Sequence, residues 1–248
     1  MIFLYEEGRE LPLLPSTYCS AFILSRALAY GTETAFAPFY GDEKGNVLSI
    51  LDGHAVLFCS KVDAEEWITF IRMRTDIMTL TVEKKIGEWL SNEPGFSVTC
   101  RSVMRLGMAP PPPADDLCEL SPREVYPVLQ AAFGDAAPPF DGWYVDISHR
   151  LRHGLCHIAA IRLHGQPVSA AMTVAECEHT TVIGGVCTLP EYRRQGLAGR
   201  CVLGLSSKIL KENPQKAVLI SPKNPAAERL YQTLGFITEA TIYSFEMK

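Results

Sequence analysis

The stretch from Val186 to Gly199 constrains this chain more than any other. Apolar residues from Thr180 to Thr188 read as a buried strand, Arg193, Arg194, Gln195 and Gly196 as a loop, and Gln195 to Lys211 as a helix. Leu197, Cys201, Val202, Leu205 and Ile209 give that helix a buried stripe. Gly196 and Gly199 leave the backbone bare where a ligand must come close. The first N–H groups of a helix lack intrahelical partners, and the helix dipole makes that end electropositive. Strand, glycine loop and helix start therefore form a cradle for phosphate oxygens, and adjacent arginines can cover a second phosphate. The segment predicts a diphosphate-binding site.

Two common diphosphate sites do not fit. A Walker loop ends in Gly-Lys-Ser/Thr, and the segment holds no lysine. A dinucleotide fingerprint needs Gly-x-Gly-x-x-Gly and an acid at a later strand end, whereas Glu212 follows a helix. The spacing Arg193-x-x-Gly196-x-Ala198 instead resembles the acetyl-CoA loop of the GNAT N-acetyltransferase superfamily, Arg/Gln-x-x-Gly-x-Gly/Ala. Downstream, Asn224, Ala227, Leu230, Tyr231, Gly235 and Phe236 resemble its second motif, Asn-x-x-Ala-x-x-Leu-Tyr-x-x-x-Gly-Phe. The resemblance is specific over Thr180 to Phe236, and the order of elements extends it back to Ser121.

The resemblance implies an acetyl-CoA-dependent N-acetyltransferase that moves an acetyl group to a primary amine by direct transfer in a ternary complex. It implies that the main chain of Val186 and Thr188 meets the pantetheine arm and thioester, on a strand that bulges and splays. Gly184-Gly185 suits such a bulge, or else packs beneath a helix. Gln195, Gly196, Leu197, Ala198 and Gly199 would donate N–H groups to the diphosphate. Of Arg193 and Arg194, one would clamp phosphate and the other lie on the surface. Tyr231 takes the position of the family's general acid, or is a core tyrosine. Asn224 would contact the pantetheine arm, or only cap the helix that Pro225 starts.

The general base is less legible, because Thr180 to Thr188 contains no carboxylate. Candidates on the acceptor side are Asp146 and His149, on a predicted helix from Trp143 to His153, and Glu176 in the turn before the strand. His149 and His153 stand at i and i+4 without a third ligand, so no metal is expected. The rival reading is a non-catalytic acetyl-CoA-binding sensor or regulatory module.

At 248 residues, with 47% hydrophobic and 21% charged residues and net charge −5, the chain suits two ordinary globular domains. A mildly acidic chain without a basic tract argues against nucleic acid as the main partner. The partner expected is a small-molecule or protein amine. Eight scattered cysteines without a C-x-x-C pair fit reduced thiols and a cytoplasmic location. The first seven residues lack a basic n-region, and no apolar run is long enough to span a bilayer.

Pro110 to Pro113 read as a stiff linker, giving domains 1–109 and 121–248 joined by 110–120. The fold class expected is α/β (α+β): two GNAT-like domains, each a mixed, mostly antiparallel twisted sheet flanked by helices. The first is read as degenerate, with Ser60-Lys61-Val62-Asp63 where the phosphate loop would be, and one acetyl-CoA per chain.

Overall fold

Each half of the chain folds a three-strand antiparallel meander, then crosses over through a helix to a parallel strand. The computed structural model describes residues 1–6, 9–59, 64–92, 96–112 and 116–247. Ser60 to Asp63, read above as a lost phosphate loop, lie outside them. The chain divides into two compact units, Met1–Val103 with Glu239–Lys248, and Met104–Thr238.

In the first unit β1 (Phe3–Leu4) and α1 (Tyr18–Tyr30) precede the meander β2 (Phe39–Gly41), β3 (Val47–Leu51) and β4 (His54–Phe58). Helix α2 (Ala64–Met73) leads to β5 (Thr79–Glu83), which lies parallel to β4. Helix α3 (Lys84–Leu90) follows, then β6 (Phe96–Leu106), which runs on into the second unit. Leu48, Leu57, Trp67, Ile71, Leu80 and Phe245 are buried together in this core.

In the second unit a short edge strand, β7 (Leu117–Cys118), leads to α4 (Pro122–Phe133) and α5 (Phe140–Arg152). Ser121 caps the start of α4, its amide donating to the Glu124 carboxylate at 2.9 Å, and Pro127 stands inside the helix without ending it. The meander is β8 (Ile158–Leu163), β9 (Gln166–Glu176) and β10 (Thr180–Thr188). Helix α6 (Leu197–Glu212) crosses to β11 (Ala217–Ile220), parallel to β10. Then come α7 (Pro225–Thr233) and β12 (Phe236–Met247). The predicted stripe of α6 is buried in full, and with Val125, Val128 and Leu129 of α4 it joins the sheet core.

Strand pairing is mixed and mostly antiparallel, as expected. The last strand of each unit departs from the expected division of the chain. In the second unit β11 pairs antiparallel with Met104 and Arg105 of β6. In the first, β5 pairs antiparallel with Ile242–Glu246 of β12. Ile242–Glu246 thus extend the strand ladder of the first unit, and the described residues of the Pro-rich stretch fall within the second. Strand β2 begins only at Phe39, because Ala37 closes a turn on the Thr34 carbonyl at 3.1 Å. Val82 of β5 pairs with Tyr243. Among the described residues no helix is long and apolar enough to cross a membrane.

Candidate functional site

The second unit breaks its ladder on both edges of β10 from Gly184 onward. Pairing of β10 with β11 stops at Ile183 and Ile220, leaving Gly184 to Thr188 without a strand on that edge among the described residues. On the other edge the register slips between Gly184 and Cys187, so that Gly185 and Val186 face a single residue of β9. Gly185 takes φ +56° there, a conformation side-chain-bearing residues rarely adopt. This is the bulge and splay expected of the strand. Leu189 donates its N–H to the Val168 carbonyl at 2.9 Å, toward β9. N–H groups alternate between the edges of a regular strand, so that of Thr188 faces the side where β11 has ended.

The loop that follows turns through a 3-10 segment, Pro190–Tyr192, and two left-handed residues, Arg194 at φ +65° and Gly196 at φ +76°. Gly196 is the N-cap of α6 and offers no side-chain acceptor. The first amides of the helix, at Leu197, Ala198 and Gly199, therefore have no capping partner from that residue, and all three residues line a cavity of about 770 Å³. The helix begins at Leu197 rather than Gln195, since the left-handed turn at Gly196 is not helical.

The same cavity is lined by Val186, Thr188, Arg193, Arg194, Asn224 and Tyr231. Of the ten residues expected to meet the cofactor only Gln195, exposed in the loop, does not line it. Its volume lies within the roughly 300–1,000 Å³ usual for small-molecule sites. Arg193 donates to the Thr188 carbonyl and, through Nη2, to the Ala132 carbonyl, both at 3.3 Å. It ties the loop to β10 and to the end of α4, and leaves Arg194 as the loop arginine without that duty. Asn224 accepts from the Ala227 amide at 2.9 Å, so it caps α7 while lining the cavity. Tyr231 is buried, and burial pushes its phenol up to about 12.

Ala132 and Phe133 at the end of α4 and Tyr192 also line the cavity. Local patterns mark these as helix-end and turn residues, and only tertiary packing brings them to the cavity. The fit to coenzyme A rests on the uncapped amides beside a left-handed glycine, on nearby arginine charge, and on a free strand edge for an extended arm.

The acceptor-side candidates do not line this cavity. Asp146 lies on α5, its carboxylate 3.6 Å from Arg150 Nε. His149 is partly buried on the same helix, its carbonyl taken up by His153 Nδ1 at 2.8 Å. Glu176 pairs with Thr181 at the far end of the β9–β10 hairpin, seven residues and roughly 23 Å along the strand from Thr188. It is buried in an ion pair with Lys216 at 2.5 Å, which makes it a poor acceptor-side group. Glu176→Gln should lower the melting temperature by several degrees, because a buried pair that loses one partner costs about 3–5 kcal/mol. Turnover should stay within about twofold, since the change lies far from the bulge that would hold reacting atoms. A large loss of kcat with unchanged stability would return Glu176 to the site. Among the described residues no three His, Cys, Asp or Glu side chains converge as a metal site. All eight cysteines are free thiols.

Residues 163–244 match the family model described as FR47-like protein. The structure resembles a GCN5-related N-acetyltransferase from Kribbella flavida, with TM-score 0.64 at 19% identity, covering 92% of this chain and 93% of that one. It also resembles an acetyltransferase of the GNAT family from Colwellia psychrerythraea (TM-score 0.60, 14% identity, 93% of this chain and 94% of that one). A GCN5-related N-acetyltransferase from Sphaerobacter thermophilus gives TM-score 0.57 at 16% identity, over 92% of this chain and 90% of that one. No curated protein matches the sequence. The chain has the GNAT fold.

Proposed function

We propose that the protein is an acetyl-CoA-dependent N-acetyltransferase acting on a primary amine by direct transfer in a ternary complex. The observation that carries this reading is the one cavity that joins the free edge of β10, the uncapped start of α6 and the buried hydroxyl-bearing Tyr231. When bound, acetyl-CoA supplies an activated acetyl thioester. The amides of Gly196 to Gly199, with Arg194, bind its diphosphate, and the edge of Val186 and Thr188 orients the arm. The Val186 N–H supports charge developing on the acetyl oxygen, a contribution worth a few kcal/mol in comparable sites. Tyr231 delivers its proton to the departing sulfur as the new C–N bond forms and the C–S bond breaks. The proton lost by the amine, passed through water, restores the phenol. The first unit is read as a GNAT-like half that binds no cofactor.

Calorimetry with acetyl-CoA, followed by thiol release against a panel of small amines and lysine peptides, tests the reading. One molecule bound per chain, and thiol release that depends on an amine, are expected. Binding without turnover on any amine would favour the sensor instead, and failure to bind would remove both. Two molecules per chain would overturn the assignment of the first unit.

A further inference from the structure

Arg150 is one of the few buried charged residues in the second unit, and no part of the reaction above uses it. From α5 its Nη1 donates to the Val174 carbonyl at 2.8 Å and its Nη2 to the Thr173 carbonyl at 3.2 Å. Consecutive carbonyls of a regular strand point to opposite edges, so one guanidinium reaches both only where the strand is deformed. The register shows that deformation: Thr173 pairs with Ile183 and Ala175 with Val182, leaving Val174 as an extra residue in β9. Arg150 therefore satisfies carbonyls that the bulge turns out of the ladder, by charge-assisted bonds. Asp146, one turn earlier on α5, stands 3.6 Å from its Nε as counter-charge.

The bulge bears directly on the neighbouring strand. A Cβ placed on Gly184 would come within 2.8 Å of Val174 Cγ1 and 2.9 Å of Cγ2. The valine side chain thus lies against the bare backbone of Gly184, the first residue of the edge that β11 leaves open. Gly185 is pressed in the same way, its Cβ position 2.8 Å from Met172 Cγ. The path runs from guanidinium to β9 bulge, from bulge to Val174, and from Val174 to the main chain that carries the Val186 amide.

We infer that Arg150 is a positioning residue, which fixes the β9 bulge and through Val174 aims the open backbone of Gly184 to Val186 at the acetyl group. The inference rests on the acetyl-transfer reading for its consequence, and its structural part stands apart from that reading. Arg150→Lys keeps the charge beside Asp146 but cannot reach two carbonyls with a planar fork. Val174→Ala removes the contact on Gly184 and serves alone if the lysine variant does not fold.

In the ligand-free protein, the 1H–15N resonances of Gly184, Gly185 and Val186 should shift in either variant, while those of Leu197 to Gly199 stay in place. Acetyl-CoA affinity should remain within about twofold, and kcat should fall about tenfold or more, as expected when reacting groups are slightly misplaced. Unmoved resonances, or moved resonances with unchanged kcat, overturn the positioning role. Moved resonances in a protein whose wild type transfers no acetyl group overturn the function proposed above, and leave the link from Arg150 to the bulge intact.

Discussion

Gly196→Glu is expected to weaken acetyl-CoA binding by about a hundredfold or more, or about 2.7 kcal/mol. Two effects act together. The residue sits at φ +76°, where a side chain costs about 1–2 kcal/mol. Its carboxylate would also stand at the start of α6, able to cap amides that otherwise meet phosphate, and like charges side by side cost several kcal/mol. Space is no obstacle, because a Cβ at Gly196 meets nothing within 4 Å. The charge can therefore be separated from the strain. Gly196→Ala should lower the melting temperature by a few degrees and keep most of the affinity, whereas the glutamate variant should lose it. Calorimetry on both variants decides. Equal affinity in wild type and the glutamate variant would mean that the start of α6 does not hold a diphosphate.

Tyr231→Phe should reduce kcat by about a hundredfold, within the range usual for a lost general acid, and leave acetyl-CoA affinity nearly unchanged. The ring is buried against Phe236, with centroids 6.1 Å apart, and phenylalanine preserves that packing. Burial has a second consequence. An acid must be protonated to act, so activity that depends on it falls as pH rises through its pKa. With the phenol pushed from 10.0 up to about 12, the tyrosine stays protonated throughout the neutral and mildly alkaline range. Any alkaline limb in kcat well below that value belongs to another group. Weakened cofactor binding with full turnover in the phenylalanine variant would make Tyr231 a packing residue.

The strand Thr180–Thr188 and the helix start at Asn224 were legible because local chemistry decides them: an apolar run and a capping side chain. Much of the cavity's lining was legible for the same reason, since it lies within one loop and one helix start. The places of Asp146, His149 and Glu176, which do not line it, were not. Glu176 is close to Val186 in sequence, and only the direction of the hairpin separates them. Phe133 and Arg150 depend on where α4 and α5 pack, which no periodicity records. The grip of Arg150 on two successive carbonyls exists only because β9 carries an extra residue, and register is a property of two strands at once.

The sheets finish in crossed order: Met104 and Arg105 flank β11, and Ile242–Glu246 flank β5. A shortened protein beginning at Ser121 would keep the whole cavity yet bare one side of β11, and would carry a final strand with no β5 to receive it. Such a product is expected to be insoluble despite holding every residue of the cavity. During synthesis the first unit waits for its partner strand, because β12 is made only after nearly all of the second unit.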